Sequence, residues 1–246
     1  MTQAPPPGTL YGIGLGPGDP ELLTLKAHRL ITRTAHLAYF AKAGRQGHAR
    51  TIIAPYIGRH HREIPLYYPL TTEIHFNAPE YKAQLAAFYE AAANQLAAIL
   101  ASGQDVALAC EGDPLFYGSF MHLYIRLRDD FPTRIVPGIT GMSGCWSASG
   151  APMTWGDDVL TVLPGTLDAK ALKAALVATD AAVIMKIGRN FRKIRETLDE
   201  VGLLSRALYI ERGTMRDEKV QPLASKADDT APYFSIILVP GQGRRP

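Results

Sequence analysis

The sequence is poor in the features that mark disulfide-rich, metal-binding and membrane proteins. Its two cysteines, Cys110 and Cys145, are too few for a disulfide framework and lack paired metal-ligand spacing. We interpret both as small buried hydrophobic residues in a reducing compartment. The seven histidines show no H-x-x-x-H pattern, so no metal site is predicted. No window approaches the roughly 18 uninterrupted apolar residues of a membrane span.

The sequence also shows no targeting signal and only a small net charge. The first residues, MTQAPPPG, have neither the basic region nor the apolar stretch of a secretion signal, so we expect a cytoplasmic protein. A formal net charge of +3 argues against a nucleic-acid-binding protein, which depends on a large basic face. With 47% hydrophobic residues in 246, the chain can bury a sizeable core in one large domain or two small ones.

The first half of the chain repeats one pattern: strand, glycine-rich loop, helix. Apolar strands are predicted at residues 9–14, 106–110 and 134–136, and each runs directly into a glycine-rich loop and a helix. This alternation indicates an open α/β sheet, in which ligand loops gather at the carboxyl ends of the strands. Further strands are predicted at residues 36–40 and 63–67, and helices from Asp19 and at residues 79–102, 120–128 and 142–149.

A second, smaller α/β domain is predicted beyond residue 150. We place the domain boundary there, giving domains at residues 8–150 and 151–246, each expected to be an open sheet flanked by helices. Strands are predicted at residues 159–163, 182–187, 208–211 and 233–239, and helices at residues 168–178 and 190–201.

The first glycine-rich loop, GIGLGPGDP at residues 12–20, resembles a dinucleotide-binding fingerprint but does not match it. Counting G-x-G-x-x-G from Gly12 places Pro17 where the third glycine belongs, and counting from Gly14 places Asp19 there. Asp19 would also bring negative charge to the helix end where a pyrophosphate docks. The loop therefore suits a cationic or neutral ligand, and the alternative is a plain structural turn.

The loops after the next two strands carry polar groups that could contact such a ligand. Glu111 and Asp113 flank a glycine at a strand end, where carboxylates suit a positively charged group such as a sulfonium. The alternative makes Asp113 a helix N-cap. In the third loop, PGITG, backbone amides and the Thr140 hydroxyl could bind an adenine or a carboxylate, although such a motif alone is more often a helix start.

Taken together, these motifs resemble those of the tetrapyrrole (corrin and porphyrin) methyltransferase family. GIGLGPGDPELLTLKA, EGDPLFYGS, VPGITG, MKIGR and ERGTM occur in the order and approximate spacing of that family, from about residue 9 to residue 239. Within the family the chain is most similar to the branch that methylates precorrin-2 at C20, through EGDPLFYGSFMHLYIRL, WGDDVLTVL and PYFSIILV. Relatives that make precorrin-2 usually read GGDPFIFG, and Glu111 and Tyr117 depart from that pattern.

The resemblance implies a two-domain α/β homodimer that binds S-adenosylmethionine in a cleft between its domains. It implies methylation of precorrin-2 at C20 to give precorrin-3A in cobalamin biosynthesis or, alternatively, of cobalt-factor II in the anaerobic route. The implied cofactor-binding residues are Pro17, Glu111, Gly112, Asp113, Phe116, Thr140, Gly141, Met185 and Gly213.

The substrate carries acetate and propionate groups, for which arginines are natural partners. The candidates for substrate binding are Tyr117, Arg45 and Arg189, with Arg50 and Arg192 as further arginines. Glu111, Tyr117 or a water could accept the C20 proton, so no catalytic base is assigned.

Three other functions compete with this one. A methyltransferase of the same fold could modify a macromolecule, although the chain lacks a strong basic face. A non-catalytic carrier or sensor could bind the tetrapyrrole or the cofactor. A nicotinamide-dependent oxidoreductase is the third, and the misplaced third glycine of the first loop argues against it.

Overall fold

The computed structural model describes residues 5–69 and 78–243, and it divides into two compact units between Thr140 and Gly141. The division falls inside the PGITG motif, ten residues before the boundary placed after residue 150. The residues between the two boundaries are Gly150 and the helix Gly141–Ser149, which packs against strands of the second unit. Residues 244–246 of the predicted second domain lie outside the described residues.

The first unit is built on a sheet of five parallel strands in the order β3-β2-β4-β1-β5. The central strand β4 is buried along its whole length, as expected for a parallel sheet covered on both faces. The strands are β1 (Leu10–Gly14), β2 (His36–Lys42), β3 (Arg62–Tyr68), β4 (Val106–Cys110) and β5 (Thr133–Val136).

Helices cover both faces of this sheet. On one face, Leu96 and Leu100 of the long helix pack with Phe120 and Leu123 of a shorter one. On the other face, a separate cluster includes Ile31 and the helix that follows β2. The helices are α1 (Leu25–Arg33), α2 (His48–Ile53), α3 (Pro79–Ala101) and α4 (Phe120–Leu127). Because helices lie on both faces, the sheet presents its strand ends as the accessible edge.

The helix predicted to start at Asp19 is divided into two pieces. Asp19 does cap a turn, since its carboxylate accepts a hydrogen bond of 2.9 Å from Glu21 N, but that turn is a short 3-10 helix. Leu23 and Thr24 are extended, and α1 begins only at Leu25, where Thr24 accepts a hydrogen bond from Ala27 N at 3.1 Å. Leu25, the first residue of α1, is 88% exposed.

The second unit has a mixed sheet in the order β6-β7-β10-β8-β9. β6 and β7 are parallel, whereas β10 runs antiparallel to both β7 and β8, so β7 and β8 point in the same direction. The strands are β6 (Leu160–Pro164), β7 (Ala181–Met185), β8 (Leu208–Glu211), β9 (Lys219–Pro222) and β10 (Ser235–Val239), and the helices are α5 (Gly141–Ser149), α6 (Ala169–Val177) and α7 (Phe191–Glu200).

Helices again flank the sheet. Leu172 of α6 and Phe191 of α7 belong to one buried cluster, and Cys145 of α5 belongs to another that includes Ile236 of β10. The prediction of two α/β units, each an open sheet flanked by helices, is confirmed. Among the helices of residues 5–69 and 78–243, none is long and apolar enough to span a membrane.

Candidate functional site

In the first unit, three predicted ligand loops meet at the carboxyl edge of the sheet. They follow the neighbouring strands β4, β1 and β5. Leu15 N donates to Cys110 O at 2.9 Å, and Gly16 and Gly112 exchange two backbone hydrogen bonds of 2.7 and 3.3 Å. The first loop is therefore paired with the second over several residues, beyond the ends of their strands.

The point where these loops meet leaves no room for side chains. A Cβ atom built on Gly138 would lie 2.1 Å from Gly112 O and 2.8 Å from Gly14 Cα. A Cβ atom built on Gly14 would lie 2.4 Å from Gly138 N. Glycine is required here because the three backbones pack directly against one another. The consequence is that the three loops are held in close contact at this edge of the sheet.

Asp113 joins two of the loops through its side chain. One carboxylate oxygen accepts a hydrogen bond from Leu115 N at 2.9 Å, and the other accepts one from Gly138 N at 3.1 Å. Helix α4 begins later, at Phe120, so Asp113 is not its N-cap. The carboxylate instead holds the second loop to the third.

Glu111 is fixed by a contact that the sequence did not predict. Its carboxylate accepts a hydrogen bond of 3.0 Å from Ala49 N in the first turn of α2. The surrounding protein disfavours the charged form and raises the pKa of the Glu111 carboxyl above its ordinary value, although the Ala49 hydrogen bond and the charge of His48 oppose this. The residue itself stays accessible to solvent. A carboxylate of this kind can pair with a cation or accept a proton.

The remaining first-unit candidates lie on the same loops. Pro17 is half-buried beside Gly16, and Thr140 ends the loop after β5. The rings of Phe116 and Tyr117 lie 4.8 Å apart, and Tyr117 is 46% exposed with a φ of 53°. Positive φ is uncommon for a bulky residue, and such strain concentrates at functional sites.

In the second unit, β10 and α5 bring the other candidates together. Met185 ends β7 and Gly213 follows β8, so the two loops lie at the same edge of the sheet with β10 between their strands. Gly141, the first residue of α5, lies against Ile236 of β10. One turn later, Cys145 packs on Gly213 so closely that an added Cβ would lie 2.8 Å from its Sγ.

Backbone strain marks these second-unit loops as well. Lys186 follows Met185 with a φ of 56°, and Arg212 and Thr214 flank Gly213 with φ values of 49° and 68°. With Tyr117, these are the positive-φ residues other than glycine in the part of the chain that the structure describes, and all four lie in the predicted motifs. Buried Glu211 supports the β8 loop, because its carboxylate accepts a hydrogen bond of 2.9 Å from the Tyr209 hydroxyl.

The four candidate arginines are in different situations. Arg45 lines a cavity in the first unit, and Arg50 lines the same cavity but is paired with Glu63. Arg189 lies exposed in the 3-10 turn after β7. Arg192 forms an exposed pair of 2.8 Å with Glu196 on α7, an arrangement typical of a solvated helix surface. Arg192 is therefore the weakest substrate candidate of the four.

The first-unit loops fit S-adenosylmethionine better than a dinucleotide. The loop backbones pack together around Gly14 and Gly138, and the acidic residues of the second loop are Glu111 and Asp113. Carboxylates suit a sulfonium and repel a pyrophosphate. Separately, no cluster of three or more His, Cys, Asp or Glu side chains able to hold a metal occurs within residues 5–69 and 78–243.

Two contributors to the site have weak sequence signals. Ala49 acts through its backbone amide, and α2 is only six residues long, too short to show helical periodicity. Lys193 is the second: its ammonium donates to Gly165 O at 2.7 Å and to Leu167 O, while Gly165 N donates to Met185 O at 2.6 Å. Lys193 thus braces the loop that adjoins Met185.

The chain is similar to known proteins over most of its length. The family model described as Tetrapyrrole (Corrin/Porphyrin) Methylases matches residues 9–227. A precorrin-2 C(20)-methyltransferase from Sinorhizobium sp is 54% identical over 97% of this chain and 98% of its own length. A cobalt-precorrin-2 C(20)-methyltransferase from Salmonella typhimurium is 28% identical over 94% and 96%, respectively. A solved cobalt precorrin-4 methyltransferase has the same fold, with a TM-score of 0.70, 20% identity and 94% of each chain covered.

The chain belongs to the tetrapyrrole (corrin/porphyrin) methylase family. It is a methyltransferase that uses S-adenosylmethionine as its methyl donor.

Proposed function

We propose that the protein transfers a methyl group from S-adenosylmethionine to C20 of precorrin-2, giving precorrin-3A in cobalamin biosynthesis. The observation that carries this proposal is the 54% identity with the Sinorhizobium precorrin-2 C(20)-methyltransferase over almost the full length of both chains. The two motif positions that depart from the precorrin-2-forming relatives, Glu111 and Tyr117, both lie on the loop after β4.

The cofactor is proposed to contact residues of both units. The supporting features are the crowded glycine loops of the first unit and the strained loops after β7 and β8 in the second. The proposed cofactor-binding residues are Pro17, Glu111, Gly112, Asp113, Phe116, Thr140, Gly141, Met185 and Gly213.

Catalysis is proposed to rest mainly on alignment. The sulfonium supplies a methyl group that is already activated, so the protein needs no nucleophile of its own. The electron-rich C20 carbon can attack the methyl group in line, provided that rigid loops hold both reactants. Well-oriented reactants can recover on the order of 7–11 kcal/mol of the barrier. The backbone hydrogen bonds between Gly16 and Gly112 and the Asp113 bridge supply that rigidity.

Glu111 is the proposed acceptor of the C20 proton. A carboxylate is ready to accept a proton at neutral pH. The surrounding protein disfavours the charged form and so raises the pKa of the Glu111 carboxyl, which strengthens it as a base. The hydrogen bond from Ala49 N fixes one carboxylate oxygen.

The cobalt-containing substrate of the anaerobic route is the second candidate, because the Salmonella cobalt-precorrin-2 enzyme is also similar over nearly the full chain. Its identity of 28% is about half that of the precorrin-2 enzyme, so the metal-free substrate is preferred here. The test compares kcat/KM for both substrates under anaerobic conditions, with the product weighed by mass spectrometry. Equal or better turnover of the cobalt complex would overturn the preference.

We also propose a cytoplasmic homodimer. The homodimer is proposed from family membership, and light scattering tests the oligomeric state directly. A mass twice the 26.8 kDa of one chain is expected at micromolar concentration. Tyr117, Arg45 and Arg189 are proposed to contact the tetrapyrrole, the two arginines through its carboxylates.

A further inference from the structure

A cavity of about 400 Å³ lies against β2, β3 and the turn after β2 in the first unit. Ligand pockets in proteins span about 300–1,000 Å³, so this one suits a part of a tetrapyrrole rather than the whole macrocycle. Its residues are Tyr39, Ala41, Gly44, Arg45, Gln46, Arg50, Glu63 and Tyr67.

In one wall of the cavity, the polar groups of Arg50, Glu63 and Tyr39 contact one another. The Arg50 guanidinium donates to both carboxylate oxygens of Glu63, through Nε and, at 3.1 Å, through an NH2 group. The Tyr39 hydroxyl donates to the same carboxylate at 2.9 Å. Burial alone would raise the pKa of the Glu63 carboxyl, but the hydrogen bonds from Arg50 and Tyr39 outweigh it and lower that pKa. Arg50 and Glu63 therefore neutralise each other.

Arg45 carries the cavity's remaining charge. It belongs to a turn closed by a hydrogen bond of 3.0 Å from its backbone N to Lys42 O. Its guanidinium has no acidic partner among the residues that the structure describes. An arginine without such a partner presents a rigid fork of donors suited to a carboxylate.

The cavity adjoins the cofactor loops through α2. Ala49 holds Glu111 of the second loop, and the next residue, Arg50, lines the cavity. β2 is also the direct neighbour of β4, with Tyr39 level with Ala109. Arg45 follows the carboxyl end of β2 and therefore lies at the same edge of the sheet as the glycine loops.

We propose that this cavity is a subsite for a single carboxylate of the substrate, bound by Arg45, and that Glu63 holds Arg50 away from that carboxylate. Glu63 thereby sets the number of carboxylates that the subsite accepts. This inference rests on the proposed tetrapyrrole substrate. It adds that one substrate carboxylate binds in this cavity, that Arg45 is its partner, and that Glu63 determines specificity.

The test uses two readouts on the full-length protein. One is binding of uroporphyrin III, a stable tetrapyrrole with many carboxylates, followed by its fluorescence. The other is KM and kcat for precorrin-2. Arg45→Gln should weaken uroporphyrin binding and raise KM by about fivefold to tenfold, with kcat little changed, because a charge-assisted contact is lost. Arg45→Lys should lie between, since it keeps the charge but not the fork.

Glu63→Gln should act in the opposite direction. It frees a second guanidinium, so uroporphyrin binding should tighten severalfold or at least be retained. Arg33→Gln, which removes an exposed arginine in the last turn of α1 outside the cavity lining, is the control for loss of charge. Affinity for S-adenosylhomocysteine, measured by calorimetry, should be unchanged in every variant.

The outcomes separate this inference from the proposed function. Unchanged uroporphyrin affinity and KM in Arg45→Gln would overturn the subsite, as would equal weakening by Arg33→Gln. Weakening by Glu63→Gln as large as that of Arg45→Gln would show that the cavity wall is only structural. A wild-type protein that binds uroporphyrin through Arg45 but does not methylate precorrin-2 would retain the subsite and refute the proposed function. A wild type that does neither would refute both.

Discussion

Gly138→Ala tests the idea that three crowded backbones form the cofactor site. The added Cβ would lie 2.1 Å from Gly112 O, whereas non-bonded carbon contacts are usually about 3.5 Å. The loops after β4 and β5 must therefore separate by about 1.4 Å. A displacement of that size can reduce catalysis about 100-fold, equivalent to about 2.7 kcal/mol. The same overpacking should cost about 1–3 kcal/mol of folding free energy.

Gly202→Ala is the matched control. Gly202 has a φ of 70° and nothing within 4 Å of an added Cβ, so alanine there introduces backbone strain without a clash. That strain should cost about 1–2 kcal/mol of stability. Both variants should lower Tm by about 2–4 °C per kcal/mol, but only Gly138→Ala should lose affinity for S-adenosylhomocysteine in calorimetry, by at least about tenfold. Wild-type cofactor affinity in a folded Gly138→Ala protein would refute the placement of the site.

Three further predictions follow from individual side chains. Asp113→Ala removes the bond to Gly138 N, so S-adenosylhomocysteine affinity should fall about tenfold in calorimetry, and unchanged affinity would contradict that role. Glu111 has a raised pKa, so kcat/KM should fall at acid pH with a midpoint above the ordinary value for a glutamate, and Glu111→Gln should remove this acid limb. A variant with the wild-type pH profile would exclude Glu111 as the base. Glu63 has a lowered pKa, so the stability it adds is present above the ordinary pKa of a glutamate and is lost as the pH falls through the lowered pKa. The Tm difference between wild type and Glu63→Gln should shrink accordingly on acidification, and a constant difference would contradict the ion pair.

Much of the fold could be predicted because apolar strands followed by glycine loops leave a strong local pattern. The strands at residues 106–110 and 208–211 have the predicted bounds. The helix after Asp19 was less predictable, since a 3-10 turn and an α-helix share local spacing and only the extended Leu23 and Thr24 separate them. β9 was missed because its four residues, KVQP, lack an apolar pattern.

The site likewise combines residues that short motifs predict with contacts that no motif predicts. Asp113 and Gly138 stand in recognisable motifs, but their contact joins residues 25 positions apart along the chain. The bond from Ala49 N to Glu111 could not be predicted, because a backbone amide carries no residue-specific signal. The neutralisation of Arg50 by Glu63 likewise depends on the pairing of β2 with β3. Such long-range contacts require the three-dimensional structure.

Methyl transfer to C20 of precorrin-2 is tested by following a labelled methyl group. The protein is incubated anaerobically with precorrin-2 and S-adenosylmethionine carrying a ¹³C-labelled methyl group, and the product is studied by NMR. We expect one new labelled methyl group per tetrapyrrole, attached to C20. A labelled methyl group at any other carbon, or no labelled product at all, would contradict it.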